Sequence, residues 1–386
     1  MGDSRYKRVS RKRPCLICCK PDWCSRTGDD SISFCARVTA GADRLSRKER
    51  WGVFYHDREL LNRPFWKAGE PRNLYKGAIQ EIQPAPLEIR DFIYSSMLRL
   101  SPASDYECLT MGKKGLFERG LEAFEDYGSL PCAVSQRKDL AAKLRLLLDQ
   151  NYPSFVREHP RGIVHIPGFW INDVGEACLW LEKDYSQPML IVPFRNPCGK
   201  IQACQIRFSD SLNKNKKRYL WLSVPALESA GSGTPLHYAN WKTFGADCLN
   251  RPVLITEGAL KGDVAAKFRS QFLIIANSGV GCAHDVISKV TRGKKVYLAF
   301  DNDYHENPAV LRQLAKLILS CSTSEDLQLI SENIKILSWE KQFKGIDDAL
   351  LKESEIYESS LAEWFSILSV DSGKIIKQIM CEIAQT

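Results

Sequence analysis

The second half of the chain alternates short apolar runs with longer amphipathic stretches, and this alternation restricts the fold more than any other feature. The short runs predict strands at 253–256, 272–276, 296–300 and 334–339. The stretches between them predict helices, for example at 310–320. Strands that alternate with helices form parallel sheets with right-handed crossovers, so an α/β domain is predicted here.

Acidic residues follow two of these predicted strands. Glu257 comes directly after 253–256, and Asp301 and Asp303 follow 296–300. The carboxyl ends of parallel strands form the ligand crevice of a sheet, so these acids are predicted to meet. Carboxylates gathered there repel one another unless a hard cation such as Mg²⁺ or Mn²⁺ binds between them. An Asp-x-Asp after a single strand would indicate only a capped turn, but Glu257 favours the metal site.

Four cysteines lie close together near the N-terminus: Cys15, Cys18, Cys24 and Cys35. Four thiolates at such short spacing can close a tetrahedral shell around Zn²⁺, and a full set of protein ligands indicates a structural role. The alternative is a group of free thiols in a small core. The few apolar residues of this segment disfavour that alternative.

The positive charge is concentrated at the same end of the chain. Of a net charge of +8, nearly all belongs to residues 1–50, where thirteen Lys and Arg stand against six Asp and Glu. Residues 5–13 are basic with little apolar content and predict a flexible arm. Such a block favours a polyanionic partner, because phosphates neutralised by Lys and Arg release counterions. A solvated tail is the alternative.

Composition excludes several classes of protein. The chain is 44% hydrophobic and 26% charged, as in ordinary globular proteins. No apolar run reaches the ~18 residues of a membrane span, and the N-terminus lacks the apolar stretch of a secretory signal. We therefore expect a cytoplasmic protein without a membrane partner, whose fourteen cysteines are thiols or metal ligands.

The middle of the chain predicts a basic, β-rich region. Residues 190–194 and 201–208 predict paired strands across a turn, and 219–223 predict another strand. Seven basic residues lie between Arg195 and Arg218 against one acid, which predicts an electropositive face for phosphates. Arg207 is the candidate phosphate ligand in that face, and a surface strand residue is the alternative reading.

Several of these segments resemble motifs of DnaG-type bacterial primases, which carry a Toprim catalytic domain. Glu257-Gly258 and Asp301-x-Asp303 are similar to its first two acidic motifs, and 345–348 (GIDD) to its last. Residues 277–281 (NSGVG) resemble the glycine turn between the acidic motifs, and residues 15–35 stand where the family carries its zinc-binding domain. The basic subdomain that precedes Toprim is resembled by three segments: 193–201 (PFRNPCGKI), 205–207 (QIR) and 218–223 (RYLWLS).

The resemblance implies an α/β and α+β multidomain protein. Its regions would be a basic arm and zinc-binding module at 1–50, a helical or linker region of unknown role at 51–160, a basic β-rich primase-type subdomain at 161–250, a Toprim domain with a Rossmann-like parallel sheet at 251–350 and C-terminal helices at 351–386.

The resemblance also implies the roles of individual residues. Glu257, Asp301 and Asp303 would bind Mg²⁺ or Mn²⁺, and Asp347 would assist catalysis. Phosphate binding would fall to Arg207, Arg195 and Lys261. The family has an aspartate at the place of Lys261, so the number of metal ions is open. A zinc module with four cysteines and no histidine is a further departure, typical of a divergent member from a plasmid, phage or other mobile element.

The function implied is a primase: metal-dependent synthesis of short oligoribonucleotides on single-stranded DNA from ribonucleoside triphosphates. No P-loop is present, so a helicase partner would be a separate protein. One alternative is a Toprim-type nuclease that uses the same acids. Another is a non-catalytic single-stranded nucleic-acid-binding protein in which Lys261 reports decay of the metal site.

Overall fold

The computed structural model divides the chain into two compact units, Met1–Ile79 and Gln80–Thr386. The structure describes residues 6–10, 13–18, 20–28, 30, 32–38, 42, 44–45, 51–56, 82–103, 115–122, 124–209, 218–243, 250–302, 307–321 and 333–368. Among these residues, none of the helices combines the length and apolarity needed to cross a membrane.

The first unit contains a five-stranded antiparallel sheet in the order β1-β2-β3-β5-β4. Its strands are β1 (Tyr6–Arg8), β2 (Ser25–Thr27), β3 (Ile32–Cys35), β4 (Arg44–Leu45) and β5 (Gly52–Tyr55). Strand β3 ends at the last of the four clustered cysteines.

Two expectations for this unit are corrected. The flexible arm predicted at 5–13 is wrong for Tyr6–Arg8, because these extended residues form β1 and pair with β2 at the edge of the sheet. The boundary expected after residue 50 cuts through the sheet, since β5 pairs with β3.

The second unit begins with helices around a four-stranded antiparallel sheet in the order β11-β10-β9-β6. The elements here are α1 (Leu87–Leu100), β6 (Gly128–Leu130), α2 (Val134–Asn151), α3 (Pro153–Glu158), β7 (Phe169–Ile171), β8 (Ala177–Leu179), β9 (Met189–Arg195), β10 (Ile201–Arg207) and β11 (Tyr219–Trp221), with β7 and β8 forming a separate pair. The predicted hairpin is confirmed as β9 and β10.

One face of this sheet is covered by α1 and α2. Leu140, Leu144 and Leu148 lie on one face of α2, are buried and join a core that includes Ile93 of α1 and Ile206 of β10. Helices α1 and α2 therefore belong to this core rather than to a linker, and β6 pairs with β9 across the boundary predicted at 160.

The rest of the second unit is built on a six-stranded mixed sheet in the order β12-β14-β13-β15-β16-β17. Its elements are β12 (His237–Tyr238), β13 (Val253–Glu257), α4 (Ala259–Phe268), β14 (Leu273–Asn277), α5 (His284–Thr291), β15 (Val296–Ala299), α6 (Pro308–Cys321), β16 (Ile334–Ser338), α7 (Ile346–Leu351), β17 (Tyr357–Ser360) and α8 (Leu361–Ile367).

The four inner strands of this sheet are parallel, as predicted. They are buried on both faces, which is why β13 is an unbroken apolar run until its last residues. The two outer strands, β12 and β17, are antiparallel to their neighbours. The parallel arrangement predicted for the four inner strands is therefore confirmed, and two antiparallel edge strands that were not predicted extend the sheet.

Helix α4 lies between the two sheets of the second unit. Ala259, Leu260 and Val264 pack against Leu190 and Phe194 on the second face of the four-stranded sheet. Ala265 of the same helix packs against Leu254 and Ile274 of the six-stranded sheet. The helix that follows Glu257 is thus fixed on both sides.

The boundary predicted at 350 also falls inside this sheet. β17 pairs with β16, and α8 follows with a capping box between Ser360 and Glu363. Of the C-terminal helices predicted at 351–386, residues 369–386 lie outside the described residues.

Candidate functional site

The four N-terminal cysteines form one cluster. Their sulfur atoms all lie within 4.8 Å of one another, with Cys18 Sγ 3.7 Å from Cys24 Sγ and Cys24 Sγ 3.9 Å from Cys35 Sγ. Four sulfurs held tetrahedrally about 2.3 Å from Zn²⁺ would lie about 3.8 Å apart. The cluster therefore has the donor type and the spacing of a structural zinc site.

The strands of the first unit hold these cysteines. Cys35 ends β3, and Cys24 directly precedes β2. Cys15, Cys24 and Cys35 are buried. Burial and the neighbouring sulfurs raise the pKa of Cys24 to about 12. Thiols crowded together in this way become thiolates when a cation binds them, which is the chemistry of a zinc centre.

The acidic residues predicted after the strands lie at the carboxyl edge of the parallel sheet. Glu257 is the last residue of β13, and Asp301 comes two residues after the end of β15. The register pairs Thr256 of β13 with Ala299 of β15, so the two acids leave the sheet at the same level. Asp303 lies outside the described residues.

Gly258 makes the turn from β13 into α4. Its φ of +89° is in the left-handed region that favours glycine, and its N–H donates to the Asn277 carbonyl oxygen at 2.7 Å. This turn begins the helix directly after Glu257. As a result, Lys261 on the first turn of α4 faces the same edge of the sheet.

Lys261 is the cation at the centre of the acidic residues. Its ammonium donates to Asp301 Oδ1 and forms an ion pair with that carboxylate. Burial opposes the charge of Lys261, but the negative charges of Asp301, Asp347 and Glu257 outweigh burial and raise its pKa above the ordinary value. Lys261 is therefore a cation paired with Asp301 in the electrostatic field of two further acids.

Asp347 approaches the same edge from α7. Its side chain is 1% exposed, and Arg119 Nη1 donates to Asp347 Oδ2. Arg119 is itself buried, so the pair is removed from solvent. Burial opposes the guanidinium charge, but Tyr219, Asp347 and Asp348 raise the pKa of Arg119. A buried pair of this kind needs both partners.

Gly345 lies where the three groups converge. A Cβ atom built on it would lie 2.5 Å from Asp347 Oδ1, 3.1 Å from Lys261 Cε and 3.2 Å from Asp301 Oδ1. The loop before α7 is held there by Asn302, whose backbone N–H and side chain donate to the carbonyl oxygens of Lys344 and Phe343 at 3.0 and 2.9 Å. Glycine is needed here because no side chain fits.

The predicted phosphate ligands on the hairpin face the interior. Arg207 is 1% exposed, so it is neither an accessible phosphate ligand in this conformation nor the surface strand residue of the alternative reading. Arg195 is 8% exposed, donates to the Gly199 carbonyl oxygen at 3.0 Å and stacks over Trp241 at 4.6 Å. Arg207 lies on the face that α4 covers, since it pairs with Leu190 in the β9–β10 ladder and Leu190 packs against α4.

The other basic residues of the hairpin region differ in their surroundings. Lys200 Nζ donates to Glu88 Oε1 at 2.8 Å, so its charge is paired, whereas Arg218 is exposed. The basic residues at 214, 216 and 217 lie outside the described residues. The electropositive face predicted for 195–218 therefore stays a prediction, since residues 210–217 lie outside the described residues.

Two residues of the site were not predicted from the sequence. Arg119 lies in a region where no motif is recognisable, and its partner Asp347 is more than two hundred residues away. Lys344 Nζ lies 3.5 Å from Asp301 Oδ2. Its position directly before Gly345 and the last acidic motif is a signal that could have indicated it.

The sequence matches no protein-family model and no curated protein. The chain is similar to solved structures of DnaG primases. The zinc-binding and RNA polymerase domains of the Aquifex aeolicus primase are 13% identical, covering 92% of this chain and 80% of that chain, with a TM-score of 0.42.

Two further structures are similar at the same level. The RNA polymerase domain of Mycobacterium tuberculosis primase DnaG, in complex with double-stranded DNA, is 13% identical over 78% of this chain and 91% of that chain, with a TM-score of 0.46. A DnaG primase catalytic domain bound to single-stranded DNA is 16% identical over 69% and 75%, with a TM-score of 0.43. The sequence motifs resemble the same family.

Proposed function

We propose that the chain is a DNA-dependent RNA primase that joins ribonucleoside triphosphates into short oligoribonucleotides on single-stranded DNA. The observation that carries the proposal is that Glu257 and Asp301 follow neighbouring strands at the carboxyl edge of a parallel sheet, where Lys261 forms an ion pair with Asp301. This edge is where α/β proteins bind ligands. The order of the sequence motifs, with a basic hairpin before the acids, favours polymerisation over hydrolysis.

Carboxylate oxygens are the ligands that a hard divalent cation prefers. In the proposal Glu257 and Asp301, which follow neighbouring parallel strands, would supply them, and Asp303 is a further ligand predicted from the sequence. When bound there, Mg²⁺ or Mn²⁺ would supply positive charge for the developing phosphoryl oxygens. The zinc module would hold its metal through Cys15, Cys18, Cys24 and Cys35 and would serve to fold the first unit.

In the proposed reaction a 3′-hydroxyl attacks the α-phosphorus of an incoming nucleotide and gives its proton to water, the new O–P bond forms, and the bond to the leaving pyrophosphate breaks. Glu257 and Asp301 would hold the divalent cation at the reacting centre, and Asp347 keeps the loop before α7 in place through its pair with Arg119. Lys344, which is 66% exposed beside Asp301, is positioned to meet phosphate oxygens. The template would be single-stranded DNA, with the zinc module and the N-terminal basic residues contacting it.

The test is incubation of the full chain with single-stranded DNA, ribonucleoside triphosphates and Mg²⁺, with the products resolved on a denaturing gel. Appearance of labelled oligoribonucleotides that depend on template supports the proposal. Strand scission without synthesis would replace it with a nuclease, and a mobility shift without either product would replace it with a nucleic-acid-binding protein. Asp301→Asn, expected to remove synthesis, controls for a contaminating polymerase.

A further inference from the structure

Trp23 is the most exposed large apolar side chain among the described residues of the first unit. It lies in the zinc module between Cys18 and Cys24, and 75% of its surface is exposed. Tryptophan rings contribute much of the binding energy of interfaces because they bury a large area when they find a partner. A single exposed apolar residue needs no explanation by itself, but the backbone of Trp23 adds a second observation.

The backbone holds Trp23 in an unfavourable conformation. Its φ is +65°, in the left-handed region that a bulky side chain rarely adopts. The Cys24 N–H donates to the Asp22 carbonyl oxygen at 2.8 Å, and this bond with a positive φ makes Trp23 the centre of a strained γ-turn. Glycine would adopt this φ without cost, so tryptophan is an expensive residue here. Residues in such strained conformations concentrate at binding sites.

Arg37 holds this turn in place. Its guanidinium donates to the Asp22 carbonyl oxygen at 2.7 Å and to Asp22 Oδ1 at 2.8 Å. The cysteine cluster fixes the same segment, since Cys18 Sγ and Cys24 Sγ lie 3.7 Å apart. The ring of Trp23 is therefore presented by a backbone that is already ordered, so binding through it costs little conformational entropy.

Basic residues lie beside the turn. Arg8 is exposed at the end of β1, and the N–H of the next residue, Val9, donates to the Cys24 carbonyl oxygen at 3.1 Å. Lys20, which precedes the turn in the chain, is also exposed. Residues 1–50 together carry thirteen Lys and Arg against six Asp and Glu. This charge favours a polyanion as the molecule that covers the ring.

The small apolar area also separates a nucleic acid from a protein as the partner. Of the described residues of the first unit, the exposed large apolar side chains are Trp23 and Leu16, which is 46% exposed. A stable protein interface needs an apolar core built from many residues, whereas one aromatic ring is enough to stack on one base. Bases inside a duplex are already stacked on one another, so an unpaired base is the better partner.

We propose that Trp23 stacks on an unpaired base of a single-stranded nucleic acid, while the neighbouring basic residues hold its phosphates. The inference deepens the proposed function and rests on it for the identity of that strand as the template of a primase. Every base has a flat face, so the contact is expected to tolerate any base at that position. Trp23 would then hold the strand without reading its sequence.

The test measures the affinity of the full, zinc-loaded chain for a labelled single-stranded DNA by fluorescence anisotropy. Trp23→Ala is expected to weaken binding about tenfold, which is within the range for loss of one stacked base, and Trp23→Phe is expected to weaken it less. The titration is repeated with an abasic strand of equal length. There Trp23→Ala is expected to change the affinity less than about twofold, because the phosphates remain and the stacking partner is absent.

Leu16→Ala is the matched control, since it removes the other exposed apolar side chain of the module. It is expected to change the affinity less than about twofold, because an aliphatic side chain has no face for stacking. An unchanged affinity in Trp23→Ala would overturn the proposal and favour a protein partner. Equal losses in Trp23→Ala and Leu16→Ala, or on the normal and abasic strands, would also overturn it. If Trp23→Ala loses its zinc, Trp23→Gly, which accepts the positive φ, decides instead.

Binding of DNA requires no turnover, so this result is independent of the proposed function. A chain that binds DNA through Trp23 but makes no oligoribonucleotide keeps the inference and loses the primase. A chain that makes oligoribonucleotides and binds DNA equally well as Trp23→Ala keeps the primase and loses the inference.

Discussion

The cysteine cluster and the acidic cluster both bring chemically similar groups close together, but they differ in how the repulsion between those groups is balanced. The four sulfurs lie within 4.8 Å of one another, and burial with neighbouring sulfurs raises the pKa of Cys24 to about 12. The carboxylates instead meet Lys261, Arg119 and Lys344 from their own chain. The first cluster therefore depends on a metal for its structure, whereas the second is largely balanced before any ligand binds.

The largest expected effect concerns the cluster that depends on its metal. Cys35→Ser should lower the zinc content from about one per chain to nearly none and unfold the first unit, because structural zinc contributes on the order of 10 kcal/mol or more. Zinc is measured by atomic emission and folding by near-ultraviolet circular dichroism. The control is Cys198→Ser, an exposed cysteine in the β9–β10 turn. A zinc content unchanged in Cys35→Ser would exclude Cys35 as a ligand.

The second prediction tests whether the acidic cluster needs its internal cations. Arg119→Met leaves Asp347, which is 1% exposed, without its buried partner, and should reduce the free energy of unfolding by about 3–5 kcal/mol. The measurement is urea unfolding of the full chain, followed by tryptophan fluorescence. Arg99→Met, at an exposed position on α1, should change it by less than about 0.5 kcal/mol. Equal stability of the two variants would contradict the description of the Arg119 pair as structural.

The third prediction separates chemistry from stability. Asp301→Asn should reduce oligoribonucleotide synthesis by about 10²- to 10³-fold, the factor expected when several kcal/mol of charge stabilisation is lost. Its fold should be retained, because the amide keeps the shape of the carboxylate. Template-dependent synthesis and thermal unfolding are measured on the same preparation. Asp173→Asn, at an exposed loop position, is the control. Retained synthesis would remove Asp301 from the mechanism.

The smallest expected effect is at Gly345, which lies beside Asp347, Lys261 and Asp301. Gly345→Ala places a Cβ atom 2.5 Å from Asp347 Oδ1, so the carboxylate must move, at a cost of about 1–3 kcal/mol in the free energy of unfolding. Gly231→Ala adds the same atom where nothing lies within 4 Å and should have almost no effect. Urea unfolding of the two variants is compared directly. Indistinguishable stabilities would show that the three groups are less tightly packed than described.

Sequence patterns among neighbouring residues predicted the parallel strands, the hairpin and the cysteine cluster. The parallel strands were predicted because strands buried on both faces are continuous apolar runs, and the hairpin because its turn residues separate two such runs. The cysteine spacing likewise predicted a cluster, which the sulfur distances support. Strand β17 (YESS) was missed because it is a polar strand at the edge of the sheet, where it pairs with β16 and lacks the apolar run of a buried strand.

Contacts between distant parts of the chain could not be predicted. Arg119 meets Asp347 across more than two hundred residues, and nothing near Arg119 in the sequence indicates a site. The burial of Arg207 was also unpredictable, since it follows from α4 packing over that face of the sheet. The acids at the strand ends were identifiable, but the cations that balance them depend on tertiary structure.

The helix that carries Lys261 is also tied along its length by polar contacts. Asp263 accepts hydrogen bonds from Tyr127 and from His237 Nε2, both at 2.8 Å, while His237 Nδ1 accepts from the Arg195 N–H at 3.0 Å. Lys267 donates to the Gly120 carbonyl oxygen. To tilt one sheet against the other, the protein would have to break this chain of bonds and an apolar core together. The distance between the hairpin and the acidic edge is therefore fixed when the second unit folds.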